Sequence, residues 1–186
     1  MAGIMNDCKI LKLRKKAFRL QQMFIKRFDQ QWGLRESVEE LSIQIGHLIQ
    51  SMINNQKFSI SAKPYNQPNR CLQNIKDELC DCFLSICSIC EFADIDTDKL
   101  DITNTIKNDK LELVVELSLL SAQLLDSCLI LQGIKPGFDR DEQKIFLTTY
   151  SLIIHNLELL AQLENTDIEA EFDAMIERTL DFLNRK

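Results

Sequence analysis

The stretch Ser37–Met52 reads SVEELSIQIGHLIQSM and has the spacing of an amphipathic helix. Its apolar residues recur every three or four positions and would form one stripe along a helix. The stripe consists of Val38, Leu41, Ile45, Leu48, Ile49 and Met52. Ser37 and Glu40 have the spacing of a capping box, in which the two side chains accept hydrogen bonds from backbone N–H groups at the helix start. We therefore expect a helix that begins at Ser37.

Helical patterns also cover the rest of the chain, which has only five glycines and three prolines. No run of alternating β-branched residues is long enough for a strand. Besides the helix at Ser37, we expect helices over about residues 7–28, 71–93, 110–132, 139–163 and 167–186, with a loop at 57–69. The fourth helix is apolar almost all round, so it is expected to be central. The sequence predicts an all-α fold, a bundle of about six helices that forms a single domain over residues 1–186.

The composition argues against two classes of partner. The formal net charge is −6, which is unsuited to neutralising nucleic-acid phosphates. The basic residues of the first helix are expected to form a solvated face. The apolar run 113–131 contains Glu116, Gln123 and Asp126, so it is expected to lie in a soluble bundle. We expect no nucleic-acid partner and no membrane.

Four of the seven cysteines are expected to be core residues. Cys80, Cys82, Cys87 and Cys90 lie in one apolar helical run, whereas a zinc site needs thiolates that converge from a turn or from separate elements. The first fifteen residues contain no continuous apolar segment of the kind found in signal peptides. A reducing, cytoplasmic location is therefore expected.

The two halves of the chain resemble each other at a nearly constant offset. Gln44 aligns with Glu116 at an offset of 72, and Glu78 aligns with Thr148 at an offset of 70. A constant offset favours an internal duplication. We expect two repeats that together form one compact unit, over residues 20–105 and 108–186.

Two polar pairs interrupt the apolar stripes of the second and third helices. Gln44 and His47 lie three positions apart on one helix, and Glu78 and Asp81 lie three positions apart on the next. Residues with this spacing share a helix face, so the two pairs would point into a common interior. They are expected either to form hydrogen bonds inside the bundle or to hold a ligand.

The sequence DELCDCFL, which contains Glu78 and Asp81, resembles the second acidic motif of the MazG-like family. This family consists of all-α nucleoside triphosphate pyrophosphohydrolases, and its relatives include the dimeric dUTPases. The resemblance implies that Glu78 and Asp81 are catalytic and bind Mg²⁺, which bridges the triphosphate and activates water. It also implies that Trp32, just before the second helix, stacks on the base of a nucleotide, whereas the residue by itself is equally expected to be a loop aromatic that anchors the bundle.

The chain departs from the family pattern at QIGHL, residues 44–48, where the family has a sequence like EVGEL. Gln44 and His47 occupy the positions of two glutamates, and Mg²⁺ binds an amide or an imidazole less well than a carboxylate. A register that uses Glu36 and Glu39, or Glu40, instead is disfavoured because these residues belong to the helix start, although Glu40 is placed to help hold a cation beside Gln44. In the second half only Glu116 remains of the four polar site positions. The resemblance therefore implies a tandem, degenerate member whose Mg²⁺ site is weak or lost.

Three functions agree with these patterns. The chain is expected to be a slow nucleotide pyrophosphohydrolase, a non-catalytic relative that binds nucleotides, or a helical protein-interaction module. A homodimer is also compatible with the sequence, because a second subunit would cover the apolar fourth helix.

Overall fold

The computed structural model describes residues 8–29, 31–56, 74–96, 109–137 and 139–184. It is an all-α bundle of six helices, as predicted, with no strand in those ranges. The helices are α1 (Cys8–Phe28), α2 (Leu34–Gln56), α3 (Ile75–Phe92), α4 (Lys110–Leu131), α5 (Glu142–Leu163) and α6 (Ile168–Asn184). The expected loop at 57–69 and the expected helix starts at residues 7 and 71 lie outside the described residues.

Helix α2 begins one turn earlier than predicted, at Leu34. The backbone N–H of Gly33 donates to Glu36 Oε2 at 2.9 Å, which is how a glutamate in the first turn caps a helix. Ser37 does not act as the cap, because its hydroxyl donates to the Gly33 carbonyl oxygen at 2.8 Å. Leu34 packs against the core and so favours the earlier start. The predicted capping box of Ser37 and Glu40 is therefore wrong.

Other helix ends follow the local signals more closely. Asp109 accepts hydrogen bonds from backbone N–H groups of the first turn of α4, and Asp167 does the same for α6. Gly133 has a φ of +71° just after α4, a left-handed conformation that glycine adopts without strain. Helix α5 begins at Glu142 with Asp141 as its cap, a few residues later than expected.

Helix α3 lies at the centre of the bundle, where it packs against α1, α2, α5 and α6. Eleven of its eighteen residues are buried, against eight of twenty-two in α4. Its small cysteine and serine side chains allow neighbouring helices to approach closely. Helix α4 packs mainly against α2 and α5, and it exposes Leu111, Val115 and Leu119. The prediction that α4 is the central helix is therefore wrong.

Helix α4 is also the one helix in the described part of the chain that is long and apolar enough to cross a membrane. Its mean hydropathy reaches 1.7 over an eighteen-residue window, 44% of which is buried inside the bundle. A helix that packs on one face in a bundle meets the same test of length and composition. Within the bundle, Glu116 of α4 accepts a hydrogen bond of 2.8 Å from Asn156 of α5.

The cysteines whose side chains are described belong to the core, which confirms the prediction for the four cysteines of α3 and adds Cys128 of α4. They are buried side chains, and they are Cys80, Cys82, Cys87, Cys90 and Cys128. Burial raises the pKa of the Cys80 thiol to about 12, and it also raises the pKa of Cys87. Because burial disfavours the charged thiolate, these two thiols keep their protons in the folded protein well above neutral pH.

Candidate functional site

A pocket of about 470 Å³ lies between α1, α2 and α3. Phe24, Ile25 and Phe28 of α1 and Leu84 of α3 supply most of its apolar lining. This volume is in the range of small-molecule sites, which are usually apolar with a few polar groups. The pocket is therefore the candidate binding site.

Three residues that the sequence singled out line this pocket. Trp32 reaches it from the segment between α1 and α2, Gln44 from α2, and Asp81 from α3. Gln44 is buried, whereas Trp32 and Asp81 are half-buried. The packing of α2 against α3 brings these separate parts of the chain together. Their roles toward a ligand stay predictions.

Gln44 is the centre of a short hydrogen-bonded chain along α2. Its amide nitrogen donates to Glu40 Oε1, one turn before it. Its amide oxygen accepts a hydrogen bond of 3.1 Å from His47 Nδ1, because an amide oxygen has no proton to donate. The residues are three or four positions apart, the spacing at which helical side chains meet. Both ends of the Gln44 amide are thus engaged by neighbours on α2.

The other two predicted ligands, His47 and Glu78, are not among the residues that line the pocket. Glu78 lies in the first turn of α3 and is only 2% exposed. Asp81, one turn later, is half-buried and does line the pocket. The two carboxylates of the acidic motif are therefore in different surroundings, one in the protein interior and one at the pocket.

The described side chains do not fit the Mg²⁺ cluster that the family resemblance implies. Within the described ranges, no group of three or more His, Cys, Asp and Glu side chains is arranged to hold a metal ion. Glu40 and Asp81 are the carboxylates that line the pocket. Mg²⁺ requires near-octahedral oxygen coordination and loses its water reluctantly, so two carboxylates alone hold it weakly, and waters and substrate phosphates would have to complete its coordination.

Aromatic side chains form one part of the pocket lining. The indole Nε1–H of Trp32 donates to the Ser37 hydroxyl oxygen at 3.0 Å, and this bond holds the ring in place. Phe24 and Phe28 lie one turn apart on α1, with ring centroids 6.0 Å apart and 21° between the ring planes. Such rings provide flat apolar surfaces on which a nucleobase can stack.

The contribution of α1 to the pocket, and that of Gln21 above all, was not predicted from the sequence. Gln21 lies between Ala17 and Phe24 on the apolar stripe of α1, as Gln44 does on the stripe of α2. It is 8% exposed and lines the pocket. Its Oε1 is buried and has no hydrogen-bond partner in the part of the chain that the structure describes. A polar residue inside an apolar stripe is the signal that could have identified it.

The matching positions in the second half of the chain lie apart from this pocket. Glu116 is half-buried and accepts the hydrogen bond from Asn156, the residue next to His155. The Ser151 hydroxyl donates to a backbone carbonyl of the preceding turn at 2.9 Å, and Thr148 is exposed. These side chains therefore make local contacts within α5 and between α4 and α5.

Comparisons of the chain with protein-family models, with curated proteins and with solved structures found no match. They identify no family, so what is shown is an all-α arrangement, with six helices in the residues that the structure describes.

Proposed function

We propose that the chain is a degenerate relative of the MazG-like pyrophosphohydrolases that binds a nucleotide or nucleoside without hydrolysing it. The observation that carries this proposal is that Trp32, Gln44 and Asp81, from three separate segments, line one pocket of about 470 Å³. Phe24 and Phe28 add aromatic surface to the same pocket. Aromatic rings beside polar groups suit a ligand with a flat base and a polar sugar.

The polar groups of the pocket favour binding over hydrolysis. Hydrolysis of the family kind depends on hard oxygen ligands that hold Mg²⁺ against the phosphates. The Gln44 amide is engaged with Glu40 and His47, and Glu40 and Asp81 are the carboxylates that line the pocket. This donor set binds Mg²⁺ weakly, so we expect nucleotide binding that does not require the ion.

The packing of the helices also supports the proposed relationship. Helix α2 packs closely on α3, and α4 packs closely on α5, and these pairs correspond to the two predicted repeats. Gln44 and Asp81 of the first pair line the pocket, whereas Glu116 of the second pair is hydrogen-bonded to Asn156. In this proposal the first repeat retains the ligand site, and the second repeat supports it by packing.

Trp32 is the only tryptophan of the chain, so its fluorescence reports on the pocket directly. We expect nucleosides and nucleotides to quench this fluorescence and to raise the melting temperature, with Mg²⁺ or with EDTA alike. No pyrophosphate should be released from a nucleoside triphosphate in the presence of Mg²⁺ or Mn²⁺. A panel that gives neither quenching nor a thermal shift contradicts binding, and pyrophosphate release would show an active enzyme instead.

A matched pair of aromatic residues tests whether the pocket is the binding site. Phe28 lines the pocket and is 48% exposed, whereas Phe182 on α6 is 62% exposed and does not line it. Both rings can therefore be removed without opening the core. Phe28→Ala should weaken nucleoside binding about tenfold, because stacking is worth about 1–3 kcal/mol per base. Phe182→Ala should leave the affinity unchanged, and equal affinities in the two variants would place the ligand elsewhere.

A further inference from the structure

The main chain beside Trp32 is fixed to the first turn of α2. The Gly33 N–H donates to Glu36 Oε2 at 2.9 Å, and the Gly33 carbonyl oxygen accepts from the backbone N–H of Ser37 at 3.1 Å. Leu34, the first residue of α2, packs against the core. With the backbone held in this way, the two side-chain torsions of Trp32 decide where its ring lies.

The Ser37 hydroxyl fixes those torsions. It accepts a hydrogen bond of 3.0 Å from the Trp32 indole Nε1–H and donates one of 2.8 Å to the Gly33 carbonyl oxygen. The hydroxyl therefore uses its proton in one direction and a lone pair in the other, and it cannot rotate without breaking one of the two bonds. Ser37 is 1% exposed, so water has little access to either bond. The indole is thus attached to a rigid point of the bundle.

The same bond decides which part of Trp32 a ligand can meet. An indole has one N–H and no acceptor, and this N–H is already donated to Ser37. Trp32 is half-buried and lines the pocket, so the part of the side chain that is left for a ligand is aromatic ring surface. Trp32 therefore offers stacking and no hydrogen bond.

We propose that Ser37 is a positioning residue of the pocket, whose hydroxyl holds the Trp32 ring in the orientation that stacks on the base of a nucleotide. A ring that is already ordered loses less conformational entropy when a ligand binds, which raises the affinity. The sequence predicted Ser37 as a helix cap, whereas its hydroxyl joins Trp32 to Gly33. This role rests on the proposed nucleotide binding and adds the residue that orders the site before a ligand enters.

The ligand-free protein tests whether Ser37 holds the ring, because Trp32 is the only tryptophan of the chain. In Ser37→Ala the indole loses its acceptor, so the time-resolved fluorescence anisotropy should gain a fast component from motion of the ring within the protein. Ser37→Thr keeps a hydroxyl and should restore the wild-type decay. An unchanged decay in Ser37→Ala would refute the role of Ser37.

Ser42 provides the matched control. Its hydroxyl donates to the Val38 carbonyl oxygen at 3.2 Å on the same helix, the kind of bond that Ser37 makes to Gly33, but Ser42 does not line the pocket. Ser42→Ala should therefore leave the anisotropy decay of Trp32 as it is in the wild type. A fast component in both alanine variants would mean that general loosening of α2, and not the bond to the indole, frees the ring.

Calorimetric titrations with adenosine, guanosine, cytidine and uridine test whether the held ring assists binding. Each nucleoside that binds the wild type should bind Ser37→Ala about threefold to tenfold more weakly, the range expected when binding must order one further side chain. Ser37→Thr should recover the wild-type affinity, and Ser42→Ala should retain it. An unchanged affinity in Ser37→Ala, with a ring that has become mobile, would overturn the positioning role.

The wild type provides a test that does not depend on how any variant folds. Its proton–nitrogen NMR spectrum has one indole signal, because the chain has one tryptophan. The indole proton should exchange with solvent more slowly than that of free tryptophan, and it should stay protected with a nucleoside bound, because stacking leaves the bond to Ser37 intact. Fast exchange in either state would contradict the proposal.

These measurements separate the positioning of Trp32 from nucleotide binding itself. If no nucleoside binds the wild type, nucleotide binding is wrong, and the part of Trp32 in stacking is wrong with it. The anisotropy of the ligand-free variants still reports whether Ser37 holds the ring. If nucleosides bind the wild type and Ser37→Ala equally well, nucleotide binding stands and the positioning role of Ser37 is wrong.

Discussion

The Tyr150 hydroxyl donates a hydrogen bond of 2.9 Å to the backbone carbonyl oxygen of Ile86, and both residues are fully buried. The bond joins α5 to the middle of α3, the central helix. Burial raises the pKa of Tyr150 well above its ordinary value, so the phenol stays neutral and keeps the proton that it donates. A polar contact thus links two helices within an otherwise apolar core.

We expect Tyr150→Phe to lower the free energy of unfolding by about 1 kcal/mol, the net worth of a typical buried hydrogen bond. The ring and its packing remain in this variant, and the hydroxyl that donates to Ile86 and also interacts with the Cys90 thiol is lost. Tyr150→Leu also removes ring volume, so it should cost about 3 kcal/mol. Urea unfolding followed by circular dichroism measures both losses. A Phe variant as stable as the parent would show that the bond makes no net contribution.

Stability should fall as the pH rises above about 9, because buried acids keep their protons in the folded state. The ordinary pKa of a cysteine thiol is 9.0, and burial raises the pKa of Cys87 in the folded protein. Above pH 9 the unfolded chain therefore binds fewer protons than the folded protein, so the free energy of unfolding decreases with pH. The raised pKa of Tyr150 lowers the free energy of unfolding in the same way above pH 10.0, which is the ordinary pKa of a tyrosine phenol.

The variant Cys87→Ala isolates one of these contributions. The variant should be less stable at every pH because it creates a cavity. Between about pH 7.5 and about pH 10, the free energy of unfolding should decrease less in the variant than in the wild type. The difference should be about 1.4 kcal/mol, the linkage value for one thiol that ionises only in the unfolded chain. Urea unfolding under reducing conditions measures this difference. The same pH dependence in both proteins would mean that the folded thiol ionises as readily as the unfolded one.

The number of helices and several of their ends could be predicted because they depend on local chemistry. Asp109 and Gly133 act as caps whatever the helix packs against. The start of α2 was misplaced because two capping signals overlap there, and the contact of Leu34 with the core decides between them. Which helix is central depends on which faces are covered, and apolarity alone does not determine that.

For the pocket, too, local patterns could be read from the sequence, whereas the packing between helices could not. Gln44 and Asp81 could be singled out because each interrupts a helical stripe, which is visible in the sequence. The part of the pocket lining that α1 supplies depends on how α1 packs against α3. Arg14 of α1 donates to Glu91 of α3 at 2.6 Å, although the two residues lie far apart in the sequence. No local pattern specifies that pairing of helices. Gln21 interrupts the stripe of α1 in the same way, but its position at the pocket follows from the packing of α1 and not from the sequence pattern.

The two faces of α4 provide a direct test of its packing. Leu117 is fully buried, whereas Leu119 on the same helix is 68% exposed. Leu117→Ala should cost about 2–5 kcal/mol, because it removes buried methyl groups and leaves a cavity. Leu119→Ala should change the stability by less than about 0.5 kcal/mol, because it lies on the surface. Thermal and urea unfolding measure both, and equal losses would show that the second face is covered as well.

The variant Gln44→Glu tests whether the pocket can regain a metal site. A third carboxylate would line the pocket beside Glu40 and Asp81, and the amide donor to Glu40 would be lost. In EDTA we expect a loss of about 1–3 kcal/mol from the lost hydrogen bond and the repulsion between like charges. Mg²⁺ or Mn²⁺ should restore part of this loss, because an ion that binds only the folded state stabilises it. Melting temperatures in EDTA and in millimolar amounts of each ion measure both effects.

Gln50, on the same helix, provides the control for this prediction. Its amide nitrogen donates to Asn54 Oδ1 at 2.8 Å on the protein surface. Gln50→Glu therefore adds the same charge and removes a comparable hydrogen bond outside the pocket, so neither ion should raise its melting temperature. The wild type should also fail to respond, since its pocket has one carboxylate fewer than Gln44→Glu. If Gln44→Glu gains no stability from either ion, position 44 does not converge with Glu40 and Asp81 on one cation, and the proposed descent from a metal-dependent site loses its support.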